Sequence, residues 1–164
     1  MIQRKQTIYL LAIVLIGLYL IFGNPVMYHL QSVNEFSGAT ERVEISFSKI
    51  ETIQGDAVSG DHVMNSFLLY GLAVITGLAF GGIFMYKNRK MQLLLTGFNY
   101  LFMSAMALLI YYYISQGKSL MPNAQESALH YIVFLPVLFP LWNFLAMRGI
   151  MHDEKLVRSM DRLR

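Results

Sequence analysis

The chain contains no cysteine. That excludes disulfides, thiolate metal sites, a cysteine nucleophile and a lipid-modified cysteine anchor, although it identifies no compartment. Charge is also scarce. Only 14% of the 164 residues are Asp, Glu, Lys or Arg, against about 25% in soluble domains. Four stretches, about 7–28, 64–86, 91–114 and 128–147, contain none of these four residue types. A carboxylate proton relay or a charged ion pathway therefore has no residues to run through at depth. HExxH, GxSxG and phosphate-binding glycine loops are missing too, so the sequence specifies no reaction.

What is present is hydrocarbon. Hydrophobic residues make up 55% of the chain. Each of the four stretches reaches the roughly 20 apolar residues needed to cross a bilayer. The first, with the unbroken run TIYLLAIVLIGLYLIF, follows Arg4 and Lys5 as a secretory signal would. It lacks a small-x-small cleavage site, which predicts a retained anchor. If the four spans alternate, one side receives Arg4, Lys5, Lys87, Arg89, Lys90, Arg148, Lys155, Arg158, Arg162 and Arg164. The other receives only Arg42, Lys49 and Lys118 among the basic residues, together with seven of the ten acids. The positive-inside rule then predicts that both termini and the KNRK turn are cytoplasmic. At this length a single membrane domain, 1–164, is expected.

The first outer loop, about 29–62, is too long for a plain connector. Within it ERVEISFSKIETI alternates, with Val43, Ile45 and Phe47 on one face and Glu44, Ser46 and Ser48 on the other. This predicts a small β-hairpin capping the bundle. In the second span Ala73, Gly77 and Gly81 form a small-xxx-small stripe, read as packing inside the bundle, with a protein–protein contact as the alternative. Pro136 and Pro140 predict a kink in the fourth span. Tyr111, Tyr112 and Tyr113 read as an interfacial aromatic belt. Asn99 and Asn143 are the polar side chains at depth and read as interhelical glue, each worth about 0.6–2 kcal/mol. His29, His62, His130 and Asp61 fall on the outer side and would suit zinc only if they converged. Their spacing forms no local motif, and no metal or cofactor is expected.

The tail, 148–164, ends in DEKLVRSMDRLR. Asp153 suits a helix N-cap, Arg162 and Arg164 suit its last turn, and Leu156, Met160 and Leu163 share one face. A short cytoplasmic helix is predicted, lying on the membrane, on the chain's own inner loop or on a cytoplasmic partner.

The two ends, MIQRKQTIYLL and LAMRGIMHDEKLVRSMDRLR, and the middle segment RKMQLLLTGFN resemble a small four-helix membrane protein family of Bacteroidota, the domain of unknown function family 4293. The resemblance spans the chain. It implies an inner-membrane protein with Arg4, Arg89, Gln92, Asn99, Arg148, Asp153, Glu154, Arg158, Asp161 and Arg162 as signature positions, and it implies no activity. The expectation is therefore an all-α membrane protein. It is a four-helix bundle with both termini cytoplasmic, an extracytoplasmic hairpin and a short C-terminal helix. It is expected to act without catalysis, as a subunit or adaptor of a complex in the bacterial inner membrane. Its partners would be the bilayer and another membrane or cytoplasmic protein, with no nucleic acid. Partner binding would fall to Arg89, Arg148, Asp153, Glu154, Arg158, Asp161 and Arg162, and helix packing to Ala73, Gly77, Gly81, Asn99 and Asn143. The alternative is a small transporter or lipid-binding protein with a cavity beside Pro136, Pro140, Asn99 and Asn143.

Overall fold

The computed structural model describes residues 5–33, 40–54, 57–64, 66–120 and 124–161. Four helices carry the chain: α1 (Lys5–Gly23), α2 (Ser66–Phe84), α3 (Arg89–Leu120) and α4 (Phe134–Asp161). All four are long and apolar enough to cross a membrane. They form an up-down-up-down square in which α1 and α3 each pack against both α2 and α4.

The packing surfaces are seams with a spacing of alternately three and four residues. On α3 the buried residues are Gln92, Thr96, Asn99, Met103, Met106, Ile110, Tyr113 and Gly117. On α2 the seam is Leu68, Leu72, Ile75, Ala79 and Gly82, with Thr76 buried beside it. Such a repeat averages 3.5 residues and keeps one stripe facing its neighbours along the whole helix. The rest of each helix is hydrocarbon turned outward. Phe22, Phe67, Leu108 and Phe134, one from each helix, are 56–82% exposed. An exterior this apolar fits lipid rather than water.

At one end of the bundle lies a five-stranded antiparallel sheet, with the order β4-β3-β2-β1-β5. Its strands are β1 (Val26–Val33), β2 (Thr40–Ser46), β3 (Lys49–Gln54), β4 (Ala57–Met64) and β5 (Glu126–Leu129). The expected hairpin is present as β2–β3, with Val43, Ile45 and Phe47 buried. The expectation was nevertheless too small. The loop between α1 and α2 contributes four strands, and the loop between α3 and α4 contributes the fifth, which pairs with β1.

Span boundaries shift accordingly. The first span ends at Gly23 rather than near Tyr28. Asn24 adopts the left-handed conformation, φ 38°, and Pro25 cannot continue a helix. Asn24 also joins helix to sheet, because its Oδ1 accepts from the backbone N–H of Ser48 at 3.0 Å. The fourth helix starts at Phe134 rather than Ala128, since Ala128 and Leu129 belong to β5. α3 overruns its span at the sheet end. There Gly117 comes so close to β2 that a Cβ would lie 2.1 Å from Ile45 Cδ1. At the opposite end α4 runs unbroken to Asp161, so among the described residues the tail forms no helix of its own. Asp153 therefore lies inside that helix rather than at its N-cap.

Candidate functional site

The end of the bundle away from the sheet gathers most of the expected contact residues. α2 ends in a single 3-10 turn, Met85–Lys87, and Asn88 opens α3, its Oδ1 accepting from the N–H of Met91 at 3.3 Å. The tight turn thrusts Lys87, Arg89 and Lys90 toward the overhang of α4. Arg89 Nη1 donates to the backbone carbonyl of Asp153 at 2.9 Å, which fixes the turn against α4. Between them opens a cleft of about 890 Å³ lined by Tyr86, Lys87, Asn88, Arg89, Lys90, Glu154 and Val157. Three cations face one carboxylate across it. α4 supplies its wall because 28 residues at 1.5 Å each reach roughly 42 Å, well beyond the ~30 Å of a hydrocarbon core.

Not every expected residue joins this cleft. Arg148 is exposed but does not line it. Arg4 and Arg162 lie outside the described residues, as do the side chains of Arg158 and Asp161.

The small-residue stripe on α2 is placed differently from its expected role. Ala73 and Gly77 face outward, and a Cβ on Gly77 would meet nothing within 4 Å. The close helix approach instead falls at Gly17 of α1, where a Cβ would sit 2.1 Å from Thr76 Oγ1 and 3.2 Å from Thr76 Cβ. Asn99 and Asn143 do pack between helices. Asn99 Nδ2 donates to the Ile75 carbonyl at 3.3 Å, and Asn143 Nδ2 to the Thr96 carbonyl at 2.9 Å. Gln92 joins them, donating through Nε2 to the Gly82 carbonyl at 3.0 Å. Gln6, 2% exposed, also packs in the bundle. It is hard to see in the sequence because it precedes the apolar run, although it opens the spacing Gln6, Leu10, Ile13, Gly17, Leu20, all buried.

The prolines shape less than expected. Pro136 lies in the first turn of α4, where no intrahelical donor is needed. Pro140 withholds only the N–H that would have reached the Pro136 carbonyl. The space beside them is about 80 Å³, lined by Met103, Met106, Ala107, Ile110, Pro136, Val137 and Pro140, and neither Asn99 nor Asn143 reaches it. Of the three tyrosines, Tyr111 and Tyr112 are exposed, whereas Tyr113 sits on the buried seam.

Strand register places His29, Glu44, Glu51 and His62 in one cross-strand row over β1 to β4. His130 follows β5, its backbone N–H bonded to the Met27 carbonyl at 2.9 Å. Asp61 and His62 lie among the residues whose side chains are not described. Among the described residues no group of three or more His, Asp or Glu is arranged to hold a metal.

The family model described as "Domain of unknown function (DUF4293)" matches residues 2–163. None of the curated proteins matches the chain.

Proposed function

The chain belongs to the DUF4293 family, a premise that brings no activity with it, and we propose from its geometry that it is a non-enzymatic adaptor of the bacterial inner membrane. The charged end lies in the cytoplasm with both termini, the sheet lies outside, and the basic cleft docks an acidic segment of another protein. The supporting observation is the Arg89–Asp153 bond, which joins two segments 64 residues apart into one preformed surface. A surface already held in shape spends little ordering entropy on binding, and three cations around one cleft favour an acidic partner. The orientation rests on the distribution of Lys and Arg. The small apolar space beside Pro136 and Pro140 favours this reading over a lipid carrier, which needs a far larger chamber.

The test is site-specific photo-crosslinking in cells. A photoreactive residue at Val157 should give one discrete protein adduct. The same group at Phe22, on the hydrocarbon exterior, should not give it. Reversing the cleft charge with Lys87→Glu and Lys90→Glu should abolish the Val157 adduct without lowering the amount of protein in the membrane. An adduct that survives charge reversal, or none at Val157, overturns the docking reading.

A further inference from the structure

The core of this bundle changes character halfway along. Toward the sheet, the α3 seam is Met103, Met106, Ile110 and Tyr113; toward the charged end, it is Gln92, Thr96 and Asn99. Gln6 and Asn143 bring two more carboxamides into the same half. Gln6, Gln92, Asn99 and Asn143 are all 0–2% exposed.

Four oxygens of these groups, Gln6 Oε1, Gln92 Oε1, Asn99 Oδ1 and Asn143 Oδ1, find no hydrogen-bond donor among the described residues. Three of the amides are fixed in orientation. The NH2 groups of Gln92, Asn99 and Asn143 each donate to a backbone carbonyl, so exchanging N for O would set oxygen against oxygen. The hydroxyls nearby are engaged as well, since Thr96 Oγ1 donates to the Gln92 carbonyl and Thr76 Oγ1 to the Leu72 carbonyl, each at 2.7 Å. Buried acceptors without donors are costly, and four together are more than helix packing readily offsets. The missing partner must therefore bring donors, or a positive charge, into a neutral site.

The spacing decides between those two. Gln92 and Asn99 are seven residues apart, about 10 Å along α3. Gln6 packs on Gly149, whose Cβ would lie 3.2 Å from Gln6 Cβ, and Asn143 is six residues, about 9 Å, farther along α4. Separations of about 9–10 Å along both α3 and α4 are too great for one coordination shell to collect all four oxygens. A bound cation gathers about six oxygens or more into one shell, whereas a buried water is satisfied by two to four partners. We propose that the carboxamide half of the bundle is an internal water site, with ordered water donating to Gln6 and Gln92 at one level and to Asn99 and Asn143 at the other. The Met103–Tyr113 stretch closes it toward the sheet, making it an aqueous dead end rather than a pore. This stands independently of the docking cleft.

Radiolytic footprinting tests it directly, because X-rays generate hydroxyl radicals from bound water in place and methionine records them as sulfoxide. Met103 is one turn from Asn99 and 3% exposed; Met27, in the sheet, is 0% exposed. Met103 should oxidise at least severalfold faster than Met27 in the purified, detergent-solubilised chain. Asn99→Leu with Asn143→Leu should remove the excess. Asn143→Leu alone, which serves if the pair does not fold, should roughly halve it. Equally slow oxidation of Met103 and Met27 in the unaltered chain overturns the proposal. A melting temperature several degrees higher in sodium or potassium chloride than in N-methylglucamine chloride also overturns it, by assigning the oxygens to a cation. Equal melting temperatures support water.

Discussion

At the scale of single residues, two glycines with the same apparent role have opposite surroundings. Gly77 belongs to a stripe that suggests close helix approach, yet it faces outward with open space where a side chain would be. Gly17 has no such stripe around it and lies directly against Thr76. Turning Thr76 cannot relieve the contact, because its Cβ is itself only 3.2 Å from the new atom and its Oγ1 is held by the Leu72 carbonyl. Gly17→Ala should therefore lower stability by about 1–3 kcal/mol, the usual cost of overpacking. Gly77→Ala should leave stability unchanged or raise it by up to about 1 kcal/mol through helix propensity. Thermal unfolding in detergent measures both. Thr76→Ala should relieve most of the Gly17→Ala loss, giving a positive coupling in the double-mutant cycle. Equal effects at the two glycines would show that the α1–α2 approach is not tight in solution. The sequence could not separate these glycines, because a small-residue pattern records room on one helix and not which neighbour fills it.

At the scale of elements, what was legible depended on whether the signal was local. The four spans are visible because about 20 apolar residues have few other uses. The β2–β3 hairpin is visible because Val43, Ile45 and Phe47 alternate with polar residues. β1 was hidden inside the apolar run after α1, although Asn24–Pro25 marks the break. β5 was hidden because four residues hold no period of their own and become a strand only by pairing with β1. The carboxamide seam was half legible. Asn99 and Asn143 stood out against hydrocarbon, whereas Gln6 and Gln92 sit where a span shades into its charged flank. The C-terminal segment resembles a helix of its own in sequence because Asp153 resembles a cap. The structure extends α4 through it, since LAMRGIMHDEKLVRSMD holds no proline and only one glycine. That continuity is measurable. Spin labels on cysteines placed at Arg148 and Ser159, in a chain with no other cysteine, are eleven residues apart. One rigid helix separates their backbones by about 16 Å with a narrow distribution. A broad distribution, or one well off that distance, would restore a hinge between the span and the tail.

At the scale of the whole molecule, the two ends are built for different surroundings. α3 is 32 residues long and spends its excess length under the sheet, where Gly117 meets Ile45 and the Lys118 ammonium lies 5.6 Å from the Tyr28 ring centre. α4 spends its excess at the other end, against the KNRK turn. Each overhang thus braces the non-helical structure at its own end, and the apolar middle fixes how far apart the ends are held. In the proposed orientation the excess of Lys and Arg at the α4 end keeps that end inside. The absence of cysteine makes that claim simple to test, since any introduced thiol is the sole target for a maleimide. Arg42, exposed on β2, and Lys90, exposed in the turn, are 48 positions apart in sequence and on opposite ends of the bundle. In spheroplasts, a membrane-impermeant maleimide should label Arg42→Cys and spare Lys90→Cys until the membrane is opened. Labelling of Lys90→Cys in sealed spheroplasts, with Arg42→Cys protected, would invert the molecule. It would also carry the basic cleft to the far side of the membrane, beyond reach of any cytoplasmic partner.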